Sequence, residues 1–199
     1  MAYAALGTFL VWALLAFGWR TIVQLRRTGD SGLRLHAEPN TPQWWAKIGF
    51  VVAIAVGLTA PIAAVAGLDD VDGLDSPVLH AAGLVVALVG VALTLGAQLA
   101  MGESWRIGVD PHEQTTLVTD GPFGLVRNPI YTAMLVTAIG LAMMIPNLVS
   151  IIGLAALVAA LEVQVRLVEE PYLTTVHGDR YLAYARRVGR FMPGLGRLA

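Results

Sequence analysis

No cysteine occurs in the 199 residues. That removes disulfide staples, thiolate nucleophiles and cysteine-based zinc sites, and it leaves the redox compartment unread. Charge is scarce as well: Asp, Glu, Lys and Arg make up 14% of the chain against 56% hydrophobic residues, a balance that suits lipid better than a water-soluble core. The formal net charge of -1 offers no basic excess to hold a phosphate backbone, so no nucleic-acid partner is expected. His112-Glu113 lacks the second histidine of a zincin helix, and His36, His80 and His177 stand far apart. No metal site is expected. Gly121 and Gly124 follow no strand and so make no dinucleotide fingerprint. The chain shows neither an internal repeat nor a low-complexity tract.

What is present is long uncharged sequence. Tyr3 to Trp19, Ile48 to Leu68 and Pro77 to Gly102 each reach or approach the roughly 20 residues that cross a hydrocarbon core. The first stretch has no basic n-region and no small-residue cleavage site, and is expected to be a retained helix and not a signal peptide. Pro129 to Leu161 is too long for one span, since roughly 33 helical residues at about 1.5 Å each reach about 50 Å against a core of about 30 Å. Pro146-Asn147 is the natural break, because proline disfavours helical geometry in the residue before it and Asn147 can cap the next helix. The expected fold is therefore all-α and polytopic, with about five membrane helices, the last two a tight hairpin.

Cations set the expected orientation. Arg20, Arg26, Arg27, Arg34 and Lys47 lie between the first two spans, Arg106 and Arg127 between the third and fourth, and Arg166, Arg180, Arg186, Arg187, Arg190 and Arg197 beyond the fifth apolar run. With five spans all of these fall on one side, whereas the loop carrying Asp69, Asp70, Asp72 and Asp75 has no cation. The C-terminus is expected in the cytoplasm and the N-terminus outside.

The arms of the hairpin are short, so polar residues at its end must complete the span, and such groups are tolerated at membrane depth only beside protein or water. A polar cavity opening toward the inner leaflet is therefore implied. At α-helical spacing Glu162, Arg166 and Glu169 or Glu170 share one face, either as an intrahelical ion-pair ladder or as part of a site. Asn128 as N-cap and Pro129 at the first helical position give the fourth helix a defined start, whose free N-H groups and dipole favour an anion, with Arg127 beside it. Gly178 to Phe191 places Tyr181, Tyr184, Ala185 and Val188 on one helical face, which reads as an amphipathic helix ended by Phe191 and Pro193. It fits a lid over the cavity and a passive anchor equally.

Gly121-Pro122, Val126 to Tyr131, the apolar hairpin, Glu169-Glu170, Gly178 to Tyr181 and the stretch from Tyr184 through Pro193 together resemble the isoprenylcysteine carboxyl methyltransferase family. The resemblance covers about Leu117 to Pro193. It implies an integral, multi-pass membrane enzyme that moves a methyl group from S-adenosylmethionine, leaving S-adenosylhomocysteine, to a lipophilic or small acceptor. It also divides the chain into membrane helices over 1–116 and a methyltransferase-like core over 117–199. By resemblance Leu117, Val118, Asn128, Pro129, Ile130, Tyr131 and Glu169 surround the cofactor, with Arg127 and Glu170 beside them. Arg166 is the candidate for contacting the acceptor, and Arg166 and Glu169 are the candidate catalytic pair. The family's usual histidine before the proline is Asn128 here, which can donate a hydrogen bond but cannot titrate near neutral pH. A membrane reductase of the sterol-reductase type using NADPH, and a non-enzymatic scaffold or transporter, are the alternatives.

Overall fold

The computed structural model describes residues 1–110, 113–114 and 116–198. His112, weighed above for a metal motif, lies outside them. Among the described residues there are two isolated bridges and no strand, and the bundle is helical. The long helices are α1 (Ala2–Thr28), α2 (Pro42–Val65), α3 (Pro77–Met101), α4 (Pro129–Met144) and α5 (Leu148–His177). A short α6 (Asp179–Arg187) comes last. Ala2–Thr28, Pro42–Val65, Pro77–Ser104 and Leu148–His177 are long and apolar enough to cross a membrane, and Pro129–Met144 is a shorter apolar helix.

Local chemistry marks the helix starts. Pro42, Pro77 and Pro129 open α2, α3 and α4 at positions where a missing N-H costs nothing. Thr41 accepts from the amide of Trp44 at the head of α2. The expected break in the last apolar run falls at Ile145 to Asn147, where Asn147, fully buried, accepts from the amide of Ser150 at 2.9 Å and starts α5.

Small residues let the helices touch along their backbones, the usual packing where lipid removes a hydrophobic drive between helices. A Cβ added to Gly83 of α3 would lie 2.7 Å from Gly140 O of α4, and one added to Gly140 would collide with the backbone of Ala87. Gly57 of α2 and Gly153 of α5 meet in a similar, looser way. Phe9, Trp12 and Ala16 of α1 then close over Met134 of α4. Apolar side chains such as Leu14, Val78 and Leu148 stay exposed on the outside, as expected of surfaces facing lipid.

Two wide, π-helical turns interrupt this regularity, Leu14–Trp19 within α1 and Val165–Glu169 within α5. The second overturns the expectation that Glu162, Arg166 and Glu169 or Glu170 share a face. A π turn adds a residue to the winding, so positions beyond it rotate away from their α-helical register. Arg166 and Glu162 pair with each other outside, while Glu169 and Glu170 turn inward.

The tail also differs from the expected Gly178 to Phe191 helix. It stops at Arg187, and Val188 is extended. Gly189 makes a parallel bridge with Val126 and accepts from the Arg127 amide at 2.7 Å. A Cβ at Gly189 would lie 2.7 Å from Leu195 O, so only glycine fits this fold-back. Pairing with the segment before α4 ends the helix, ahead of Phe191 and Pro193.

Candidate functional site

A cavity of about 610 Å³ opens at the end of the bundle where the π turns of α1 and α5, the first turn of α4 and the segments around Trp105 and Leu117 converge. Leu117, Val118, Arg127, Asn128, Pro129, Ile130, Tyr131, Glu169 and Glu170 all line it. Arg166 does not: it is 57% exposed and bound to Glu162.

Neighbouring glutamates do different things. Glu169 Oε1 accepts from the Tyr131 hydroxyl and, at 3.0 Å, from Gln164 Nε2. Both donors are neutral, and Glu169 has no ion-pair partner among the described residues. Glu170 is closed off. Arg190 grips it in a fork, Nε to Oε1 and Nη2 to Oε2 at 2.8 Å each, and Arg127 Nη2 donates to Oε1 at 2.5 Å. The Glu170 hydrogen bonds raise the Arg190 guanidinium above its ordinary value. Arg127 also donates to the carbonyls of Ala185, Val188 and Gly196. Its charge is therefore spent on holding the tail.

Asn128 sits at the N-cap position, but its side chain caps nothing. Its amide Nδ2 donates to Arg190 O at 3.2 Å, beside the backbone bond from Asn128 N to the same oxygen. The histidine-to-asparagine departure thus falls on a residue tying α4 to the tail. Tyr181 and Tyr184 of α6 are buried and line the cavity, with the Tyr184 hydroxyl donating to Phe123 O at 2.6 Å. Burial pushes both phenols up to about 12. The tail is a wall of the cavity.

Other lining residues escaped sequence reasoning. Gln164, which holds Glu169, is one of the polar residues that complete the span at the end of the hairpin. Gln98 lines the cavity with a buried Oε1 that has no hydrogen-bond partner; a lone amide in the apolar run from Pro77 to Gly102 was the available signal. Trp105 carries the buried Arg20 guanidinium 4.7 Å above its ring. Lys47 and Arg106 had been counted for orientation alone. Away from the cavity, His80 Nε2 lies 3.1 Å from an Asp70 oxygen and 3.9 Å from one of Asp75, a cluster hidden in the sequence because the partners of this histidine are carboxylates and not other histidines.

Residues 78–180 match the model of the phospholipid methyltransferase family, just over half of the chain. The chain belongs to that family. The matched span holds the α3 to α5 core and every sequence-derived site residue. Among curated members, protein-S-isoprenylcysteine O-methyltransferase A of Arabidopsis thaliana is 32% identical over 113 residues, 56% of this chain and 57% of that protein. The cobalt-zinc-cadmium resistance protein CzcN of Cupriavidus metallidurans is 31% identical over 113 residues, 56% of this chain and 50% of its own length. The chain thus spans about half the length of the curated relatives it matches. Its fold is similar to that of the eukaryotic intramembrane Ras methyltransferase ICMT, with a TM-score of 0.63 at 20% identity over 98% of this chain and 70% of that one. The family resemblance carried by Gly121 to Pro193 is borne out.

Proposed function

We propose that this chain is an integral membrane methyltransferase that binds S-adenosylmethionine in the cavity and passes its methyl group to a lipophilic or small acceptor. Glu169 carries the reading. A carboxylate whose partners are both neutral, on the wall of a cavity within the roughly 300–1,000 Å³ usual for small-molecule sites, is suited to a cationic ligand. The residues present fit the cofactor. Glu169 would take its ammonium or ribose hydroxyls, Tyr131 and Gln164 fix the carboxylate's direction, and the first turn of α4 offers unpaired N-H groups for a carboxylate. Leu117 and Val118 supply apolar wall.

The bound sulfonium would supply an already activated methyl group, so an anionic acceptor needs alignment more than a general base. Arg166 lies outside the cavity, and a role for it in acceptor binding would require approach from the exposed side of α5. In the proposed topology α4 is a fifth, short span of 16 residues, about 24 Å at 1.5 Å per residue. The end bearing Lys47, Arg127 and α6 is cytoplasmic and the N-terminus lies outside.

Calorimetry on the purified protein tests the reading. S-adenosylmethionine should bind, and Glu169→Gln should weaken it at least tenfold, as loss of a charge-assisted bond predicts at about 1.5–3 kcal/mol, while Tyr131→Phe, which removes the donor that orients Glu169, should weaken it by less, with the helical content unchanged. Absence of binding in the parent protein, with NADPH binding by fluorescence titration, would point to the reductase chemistry instead.

A further inference from the structure

We infer that Lys47 selects a methyl acceptor with an anionic head group, an inference that rests on the proposed transfer reaction. Three cations line the cavity: Lys47, Arg106 and Arg127. Arg127 is ion-paired to Glu170, which it shares with Arg190, and Arg106 to Glu113, which it shares with Arg34. Lys47 has no carboxylate within ion-pair range among the described residues. Its Nζ donates to the carbonyls of Arg34 at 2.7 Å and His36 at 2.6 Å, two acceptors for three protons. Carbonyl dipoles orient an ammonium without cancelling its charge, and one N-H is left to give.

Position assigns that donor to the acceptor in preference to the cofactor. Leu35 and Val51 line the cavity yet are 64% and 65% exposed, so the cavity reaches the outside of the bundle at these side chains. Lys47 stands one helical turn before Val51, beside this opening. Phe17, Phe50 and Met134 continue the wall inward as apolar surface. An amphiphile arriving from the bilayer would leave its head at Lys47 and lay its tail along these side chains. Glu169, the carboxylate of the same wall with no ion-pair partner among the described residues, remains for the cationic cofactor.

The test uses the protein in phosphatidylcholine nanodiscs, titrated with dodecanoate, dodecyl phosphate and dodecanol and followed by tryptophan fluorescence, since Trp105 lines the cavity. The parent should hold the two anionic amphiphiles at least roughly tenfold tighter than the alcohol, the yield of one hydrogen bond to a charged group. Lys47→Gln should bring the three within about twofold, and Lys47→Arg should keep the preference. Because Lys47 also holds the Arg34 segment, Val51→Glu is the second variant. At an exposed site four residues on, it keeps Lys47 and both carbonyl bonds but pairs its charge, and it should abolish the preference too. Affinity for S-adenosylmethionine is measured in parallel and should stay within about twofold in Lys47→Gln.

A parent without head-group preference overturns the inference, as does full preference in both Lys47→Gln and Val51→Glu. Loss of cofactor affinity in Lys47→Gln with the amphiphile preference intact overturns it as well, by giving Lys47 to the cofactor carboxylate. A Lys47-dependent preference in a parent that binds no S-adenosylmethionine supports the anion site and overturns the methyltransferase reading.

Discussion

Replacing Glu170 with alanine should release the C-terminal tail. The Arg127 side chain is 2% exposed and that of Arg190 10%, so the substitution leaves two buried guanidinium groups without their shared carboxylate. Breaking a buried pair from one side costs about 3–5 kcal/mol, because the remaining charge stays desolvated. Arg127 keeps its bonds to the carbonyls of Ala185, Val188 and Gly196, whereas Arg190 loses both arms of its fork. This places the cost near the lower end, about 3 kcal/mol, or a little over 100-fold in the docking equilibrium at 1.4 kcal/mol per decade. Tryptic cleavage after Arg186, Arg187 and Arg190, detected by mass spectrometry, reads the undocked population where redocking is fast relative to cleavage. Cleavage should accelerate by roughly 100-fold in Glu170→Ala and by less in Glu170→Gln, which keeps the shape and part of the hydrogen bonding. Because Tyr181 and Tyr184 line the cavity, cofactor affinity should fall with tail docking. Unchanged cleavage in Glu170→Ala, with the helical spectrum intact, would refute the claim that this carboxylate holds the tail.

Three further outcomes are expected. Gly140→Val should lower the thermal midpoint in detergent by a cost of about 2 kcal/mol or more, since α3 and α4 must separate to admit the side chain against Ala87. Arg166→Ala should change stability by less than about 0.5 kcal/mol in denaturant titration, because its pair with Glu162 is exposed and screened, and cofactor affinity should not move. Tail docking should weaken in alkali. The phenols of Tyr181 and Tyr184 hold their protons up to about 12 when folded and to about 10 when released, so their contribution is whole below pH 10 and is lost as pH rises toward 12. Proteolysis at pH 9 and pH 11 with a pH-tolerant protease checks the sign.

The helical bundle was legible because bilayer thickness fixes how long an apolar run can be, and the run from Pro129 to Leu161 exceeds it with Pro146-Asn147 at its middle. The cavity lining at Leu117, Val118 and Asn128 to Tyr131 was legible through the family resemblance, with Asn128-Pro129 marking where α4 begins. Two things were not. The π turn at Val165–Glu169 has no local sequence signature, since it reflects how α5 must wind to seat Glu169 against Tyr131 on another helix. The tail's fold-back depends on Arg127 N meeting Gly189 O, a contact that local helical periodicity does not encode, and periodicity alone therefore extended α6 too far.

The glutamate pair shows why such errors matter for function. Read as one feature, Glu169-Glu170 suggests two carboxylates converging on one ligand. Adjacent positions on a helix point in different directions, so one carboxylate can enter a cavity while the next is clamped from behind. Here Glu170 engages both Arg127 and Arg190, while Glu169 is met by the neutral Tyr131 and Gln164. Arg127, held by Glu170 and by the carbonyls of Ala185, Val188 and Gly196, makes no ion pair with Glu169. One glutamate holds the tail while its neighbour lines the cavity, so neither half of the pair could be exchanged for the other.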